Sequence, residues 1–169
     1  MLSYLFPRLT PVARGSALFE ALVGEARRPG WYLEGQVADT LDGRFAVLAT
    51  VVALATVRLE RGGEGATSAS AALAERFVEA MDAEHRQLGL GDPALGKTVR
   101  KLVGALTRRV ELWREGIEPG GAWDEAVASS LFRKSPPADG LVHCAQMLRE
   151  FWTRLDTASE EAMAEGRIG

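Results

Sequence analysis

The sequence contains few of the residues on which disulfide frameworks, metal centres and β-sheets depend. Its 169 residues include a single cysteine, Cys144, which excludes an intrachain disulfide and a multi-cysteine zinc site. There are two histidines and two isoleucines, and aromatic residues make up 7% of the chain. Because strands favour β-branched and aromatic side chains, this composition favours helices over sheets.

No apolar run is long enough to cross a bilayer as a helix. The most apolar uncharged stretch, residues 45–57, falls short of the roughly 20 residues that a spanning helix needs. The first eight residues lack the charged start and long apolar core of a secretory signal peptide. The sequence therefore predicts a cytoplasmic protein in which residues 45–57 form a buried helix, with peripheral contact to a membrane surface as the alternative.

The charge balance is modest and slightly acidic. The chain carries 20 basic and 23 acidic residues for a net charge of −3, which gives no basic domain of the kind that binds DNA. Hydrophobic residues make up 47% of the composition, which predicts a folded chain. Its length fits a single domain over residues 1–169, with flexible ends expected at residues 1–10 and 158–169.

Apolar residues recur at helical spacing along most of the chain. They predict five to six helices, at about residues 11–28, 40–61, 71–88, 92–115, 123–132 and 141–155. Asp39 is the expected N-cap of the second helix, and Asp42 stands three residues later as in a capping box. Since the second helix is apolar on all sides, we expect a single-domain, all-α bundle that packs around it.

Residues 91–98 read Gly-Asp-Pro-Ala-Leu-Gly-Lys-Thr and match the nucleotide-binding pattern G-x-x-x-x-G-K-[ST] at every position. That pattern needs a buried strand before it, whereas residues 77–88 are charged and amphipathic at helical spacing. Pro93 also lacks one of the N–H groups that would cradle phosphate. A helix-loop-helix corner, in which Asp92 caps a helix and Gly96 permits close packing, is favoured, and P-loop-type nucleotide binding remains an alternative.

The other reactive side chains do not form a recognisable catalytic or metal-binding set. His143 adjoins Cys144, but neighbours on a helix point about 100° apart and so do not converge on a metal. His85 is isolated, and Cys144 without an identifiable base is expected to be a small core residue. We therefore expect no catalytic residue, no metal and no cofactor.

Basic residues gather on the polar side of the fourth helix, although the chain as a whole is acidic. Such a stripe is either a solvated face or a contact for an anionic partner, such as phospholipid headgroups, ribosomal RNA or an acidic protein loop. An adaptor for a lipid or ribosome surface is accordingly a further alternative. The candidate partner-binding residues are Lys97, Arg100, Lys101, Arg108 and Arg109.

Several short motifs, taken in order, resemble the ubiquinol-cytochrome c chaperone family. One opens the apolar helix, one lies near its end, and others lie at the corner before the fourth helix and just inside it. Met81 with Asp82, and similar segments up to residue 156, extend the resemblance, and a looser match lies upstream at residues 26–32. The motif residues are Asp39, Asp42, Gly43, Arg44, Phe45, Arg58, Gly89, Gly91, Asp92 and Gly96.

The resemblance implies a non-enzymatic assembly chaperone, similar to factors that bind newly made cytochrome b and help deliver it to the bc1 complex. It implies cytochrome b or another bc1 component as partner, with the ribosome, the inner-membrane surface and a second assembly subunit as further candidates. This chain resembles a bacterial member, in which Thr50 and Val51 stand where relatives commonly carry a histidine. We expect client contact in grooves beside the apolar helix, and we expect Arg44 to order the corner that precedes it.

Overall fold

The apolar stretch at residues 45–57 lies at the centre of the protein. The computed structural model describes residues 11–87, 89 and 92–169. In it, helix α2 spans Leu41–Glu60, and every residue from 47 to 57 is buried. A helix with no polar face is stable only when neighbours cover it on all sides, so α2 organises the rest of the fold.

The described residues contain seven α-helices and one short 3-10 helix, and no β-strand. The fold is all-α, as predicted. The 3-10 helix spans Pro29–Trp31. Besides α2, the α-helices are α1 (Pro11–Ala26), α3 (Ala66–Gln87), α4 (Asp92–Gly116), α5 (Trp123–Leu131), α6 (Ala138–Thr157) and α7 (Glu160–Ala164).

Helices α1, α3, α4, α5 and α6 all contact α2. Within this shell α1 packs on α3, α3 on α4, α4 on α5 and α5 on α6, while α7 packs on α1. A buried carboxylate also joins the first helix to the sixth: Glu25 accepts from Arg154 at 2.8 Å and from Arg28 at 2.8 Å. The result is one bundle around a single apolar core, as the sequence predicts.

The amphipathic stripes of the outer helices face the core as the spacing predicts. On α4, Val99 is half-buried, whereas Leu102, Leu106, Val110 and Trp113 are buried. The predicted inward residues of α5 are likewise buried, and the indole N–H of Trp113 donates to Ser130 Oγ at 3.0 Å. This hydrogen bond satisfies the polar atom of a buried aromatic side chain and joins α4 to α5.

Two features differ from the sequence prediction. Helix α3 begins at Ala66, five residues before the expected start, so the glycine-rich loop is shorter than predicted. The last residues form α7, which raises the number of helices in the described residues above six, and Met163 and Ile168 there are buried. Residues 1–10, the other expected flexible end, lie outside the described residues.

Candidate partner-binding groove

A groove of about 660 Å³ lies beside the first turns of α2. Its walls are the start of α2, the C-terminal half of α3, the middle of α4 and the segment that follows α5. We call it the α2–α4 groove. Its lining residues are Gln36, Ala38, Thr40, Leu41, Asp42, Gly43, Phe45, Ala46, Met81, Glu84, Thr98, Lys101, Leu102, Ala105, Arg108, Arg109, Ser129, Ser130, Leu131, Phe132, Arg133, Lys134 and Ser135.

The floor of the groove is apolar. Met81, Leu102 and Leu131 line it and are themselves buried, and half-buried Phe45 packs on Phe77 with ring centroids 5.8 Å apart. At the mouth, Leu41 is 47% exposed. An apolar concavity with an exposed leucine at its edge is the kind of surface that binds apolar side chains of a partner.

The rim of the groove is basic. Five lining side chains are basic and two are acidic, on a chain whose net charge is −3. Arg133 pairs with Asp42 at 3.1 Å, which joins the segment after α5 to the start of α2. The cations of Lys101, Arg108 and Lys134 form no ion pair with any residue that the structure describes. The groove therefore has an excess of positive charge available to an anionic partner.

Arg109 lies at the junction of floor and rim. Its Nη1 donates to the Ala105 carbonyl oxygen at 3.1 Å and its Nη2 to that of Ser130 at 2.8 Å, so the side chain ties α4 to α5. The guanidinium carbon lies 5.7 Å from the centroid of the Phe45 ring. Burial, with a smaller contribution from the neighbouring charge of Arg108, lowers the pKa of Arg109 to about 10, so the group remains a cation at neutral pH.

Comparison with known proteins identifies the family. The sequence model of the ubiquinol-cytochrome C chaperone family matches residues 33–168. The chain belongs to the ubiquinol-cytochrome c chaperone family. A crystal structure of the Cbp3 homolog from Brucella abortus superposes with a TM-score of 0.78 at 25% sequence identity, covering 98% of this chain and 94% of that one. The search of curated proteins returns no significant match.

Family membership confirms the resemblance predicted from the short motifs, and all residues of the α2–α4 groove fall within the matched region. The groove of this ubiquinol-cytochrome c chaperone contains only part of the predicted basic stripe. Lys101, Arg108 and Arg109 line it, whereas Lys97 and Arg100 are exposed on α4 outside the lining. The stripe therefore divides into a groove part and an outer part.

Sequence reasoning missed two basic residues of this chaperone's groove, Arg133 and Lys134. They follow α5 in an irregular segment that ends before Pro136 and Pro137, so helical periodicity could not assign them to a face. The adjacent positive charges in front of the prolines were the available signal. Only the packing of α5 against α4 brings them to the groove.

The motif that opens α2 in the chaperone is a structured corner, but its cap is not the predicted one. The backbone N–H of Gly43 donates to Thr40 Oγ1 at 3.2 Å, so Thr40 is the N-cap and the prediction of Asp39 was wrong. Asp39 accepts from Arg44 Nε at 2.7 Å, and this hydrogen bond raises the pKa of Arg44. A Cβ at position 43 would lie 1.8 Å from the Ala38 carbonyl oxygen, so the corner requires glycine.

Two further family-motif residues, Arg58 and Gly89, have structural roles. Arg58 donates from Nε to the Leu155 carbonyl oxygen at 3.1 Å and from Nη2 to that of Ala158 at 2.9 Å. A cation at these last carbonyls stabilises the C-terminal end of α6. Gly89 has a φ of 79°, a left-handed conformation that favours glycine.

Residues 92–98 of the nucleotide-binding pattern are helical and therefore do not form the loop that would bind phosphate groups. Helix α4 begins at Asp92, so Lys97 and Thr98 lie within a helix, and the element before the corner is helix α3 instead of a strand. Gly91 lies outside the described residues. Gly96 is exposed, and a Cβ there would meet no described atom within 4 Å, so the expectation that it permits close packing was wrong.

Neither Cys144 nor His143 lines the α2–α4 groove. Cys144 is fully buried, as predicted, and burial raises the pKa of its thiol to about 11. His143 is half-buried, and its Nε2 has no hydrogen-bond partner among the described residues, whereas the side chain of His85 lies outside them. No group of three or more His, Cys, Asp or Glu residues within the described parts of the chain is arranged to hold a metal ion.

Proposed function

We propose that the protein is a non-enzymatic assembly chaperone of the ubiquinol-cytochrome c reductase (bc1) complex and that it binds newly made cytochrome b through the α2–α4 groove. The observation that carries this proposal is the apolar floor with a basic rim, located inside the region that matches the family. A concave apolar surface between helices binds an amphipathic partner segment by burying its apolar side chains.

A binding role, as opposed to catalysis, is supported by the chemistry of the side chains. The one thiol has a raised pKa and lies in the core, which disfavours the thiolate that a nucleophilic cysteine needs. Among the described residues, the groove is lined by arginine, lysine, hydroxyl and apolar side chains and one glutamine, with Asp42 and Glu84 as its acids and no histidine. Such a set favours recognition of a partner over proton transfer to a substrate.

Secondary partners are inferred from exposed basic residues that lie outside the groove. None of the helices in residues 11–87 and 92–169 combines the length and apolarity needed to cross a bilayer. Lys97 and Arg100 lie exposed outside the groove and form no ion pair with a described residue. They remain available for the inner-membrane surface, the ribosome or a second assembly subunit, while the groove holds the client.

The decisive experiment is complementation of a deletion strain. Loss of the protein is expected to lower the amount of assembled bc1 complex, and the wild-type gene to restore it. The double reversal Lys101→Glu/Arg108→Glu should fail to restore assembly and should lose cytochrome b during purification in mild detergent, because it places two negative charges in the groove.

The matched control is Lys97→Glu/Arg100→Glu, which makes the same change in charge on exposed positions of the same helix outside the groove. This control is expected to retain cytochrome b. Normal bc1 levels in the deletion strain would contradict the proposed function. If only the control pair disrupts assembly, docking to an anionic lipid or ribosome surface through the outer stripe is the better account.

A further inference from the structure

Arg109 is a cation whose hydrogen-bonding capacity is only partly used. A guanidinium carries five N–H groups, and the two that bond Ala105 and Ser130 meet neutral backbone carbonyls. Its Nε is buried and has no acceptor in the described residues. Leaving a buried donor of a charged group without a partner is unfavourable. In the free protein, Arg109 therefore lacks an acceptor that would stabilise it.

Arg58 and Arg154 have acceptors within the described structure, whereas Nε of Arg76, like that of Arg109, is buried without one. Arg154 bonds the buried carboxylate of Glu25 at 2.8 Å, and Nε of Arg58 donates to the Leu155 carbonyl oxygen at 3.1 Å. Arg109 forms no ion pair with any described carboxylate, and Arg108 beside it adds a second positive charge. An acceptor inside the groove would accept from N–H groups of the Arg109 guanidinium that no described residue uses, and would offset the repulsion between the two arginines.

The position of Arg109 restricts the shape of that acceptor. Arg109 and Phe45 are half-buried in the floor, whereas Lys101 and Arg108 are exposed on the rim. A flat anionic membrane would therefore contact the rim, while a single side chain that projects from a segment can reach the floor. The apolar surface of Leu102 and Leu131 in the same groove favours apolar residues next to that side chain.

The two acids of the lining restrict the net charge of the segment that the groove can bind. Asp42 and Glu84 both lie in the groove, so a polyanion such as RNA would meet like charges beside the cations. A segment with one carboxylate among apolar residues avoids this conflict. A carboxylate on arginine also forms two parallel hydrogen bonds when the geometry permits, which adds specificity to the attraction.

We propose that the α2–α4 groove recognises a protein segment in which one Asp or Glu lies beside apolar residues, and that this carboxylate accepts hydrogen bonds from Arg109. The inference rests on the proposed function and states the chemistry of the client segment that the groove selects. Arg108 and Lys101 then supply attraction at longer range, and Phe45 supplies the apolar contact.

The test uses short overlapping peptides from the bc1 subunits of the source organism and from unrelated membrane proteins, titrated against the full chain by fluorescence anisotropy. Bound peptides are expected to carry an Asp or Glu flanked by apolar residues. Replacing that residue by Asn or Gln should weaken binding by about tenfold or more, the range for a hydrogen bond to a charged group. Because this change is made in the peptide, it leaves the fold of the protein intact.

Variants of the protein test whether Arg109 is the group that distinguishes the acidic peptide from its amide form. In Arg109→Gln the difference between acidic and amide peptides should fall to the small part that the longer-range charges of Lys101 and Arg108 supply, whereas Arg109→Lys should retain a larger part because it keeps the charge. Lys97→Gln, on the same helix outside the groove, should retain the full difference. Circular dichroism of each variant checks that the bond from Arg109 to α5 is not needed for folding.

Three outcomes overturn the inference: equal binding of acidic and amide peptides by the wild type, no binding of any peptide, or Arg109-dependent binding of anionic vesicles alone. Equal binding together with normal recovery of cytochrome b would overturn the carboxylate subsite and leave the proposed function standing. Carboxylate-dependent binding restricted to the unrelated proteins would support the subsite and contradict cytochrome b as the client.

Discussion

The Cys144 thiol is enclosed by the bundle, with Sγ 3.5 Å from the Gly35 carbonyl oxygen. Desolvation raises its pKa from 9.0 to about 11, so at neutral pH the reactive thiolate is about a hundredfold scarcer than in an exposed cysteine. We expect a thiol-specific reagent to modify the native protein at least that much more slowly than the urea-unfolded chain. Rapid modification of native protein would contradict this assignment of Cys144 to the core.

The raised pKa of Cys144 makes the free energy of unfolding depend on pH in the alkaline range. The folded pKa lies above the unfolded value, so the folded chain retains this proton longer as the pH rises. The contribution of Cys144 is complete below about pH 9 and is lost between pH 9 and about 11. Subtracting the urea unfolding curves of Cys144→Ala from those of the wild type isolates this fall from the titration of other groups.

Some residue roles followed from the sequence because the chemistry was local. Asp39 and Arg44 are five positions apart, and the expected ordering of this corner is matched by their 2.7 Å contact. Burial of Cys144 was also predicted, from the absence of any identifiable base. The sequence placed Arg109 among the candidate partner-binding residues. Its contacts with Ser130 and with the ring of Phe45 could not be predicted, because they depend on how three helices pack.

At the scale of elements, two neighbouring residues at the start of α2 are candidates for its N-cap. Thr40 Oγ1 accepts from the Gly43 N–H, whereas Asp39 forms an exposed ion pair with Arg44. Thr40→Ala is expected to lower the free energy of unfolding by about 1 kcal/mol, and Asp39→Ala by about 0.5 kcal/mol or less. Urea titrations of both variants measure the difference, and a larger loss for Asp39→Ala would assign the cap to Asp39.

Helix positions were predictable where a long amphipathic stripe exists and were less certain elsewhere. Helix α4 carries such a stripe, and its observed end at Gly116 lies one residue beyond the predicted one. Helix α3 starts early because Thr67, Ser68 and Ser70, although poor helix formers, are carried along by the long helix that follows. Helix α7 has five residues, too few for a period to be read.

At the scale of the whole molecule, the chain end contributes to the core. Met163 of α7 is fully buried, and Glu160 accepts from the Gly63 N–H at 2.8 Å across the loop between α2 and α3. Met163→Ala should lower the free energy of unfolding by about 2 to 5 kcal/mol, the range for truncating a buried methionine. Exposed Glu161→Ala is the control, with an expected change within about 0.5 kcal/mol in thermal unfolding.

The central position of α2 has a consequence for the synthesis of the protein. Helix α2 ends at Glu60, but two of the helices that cover it, α4 and α6, end at Gly116 and Thr157. When α2 leaves the ribosome, most of its apolar surface has no cover, because the residues that bury it have not yet been translated. The chain therefore exposes an aggregation-prone helix until first α4 and then α6 have been translated, and this proposed chaperone is itself a nascent chain that benefits from protection.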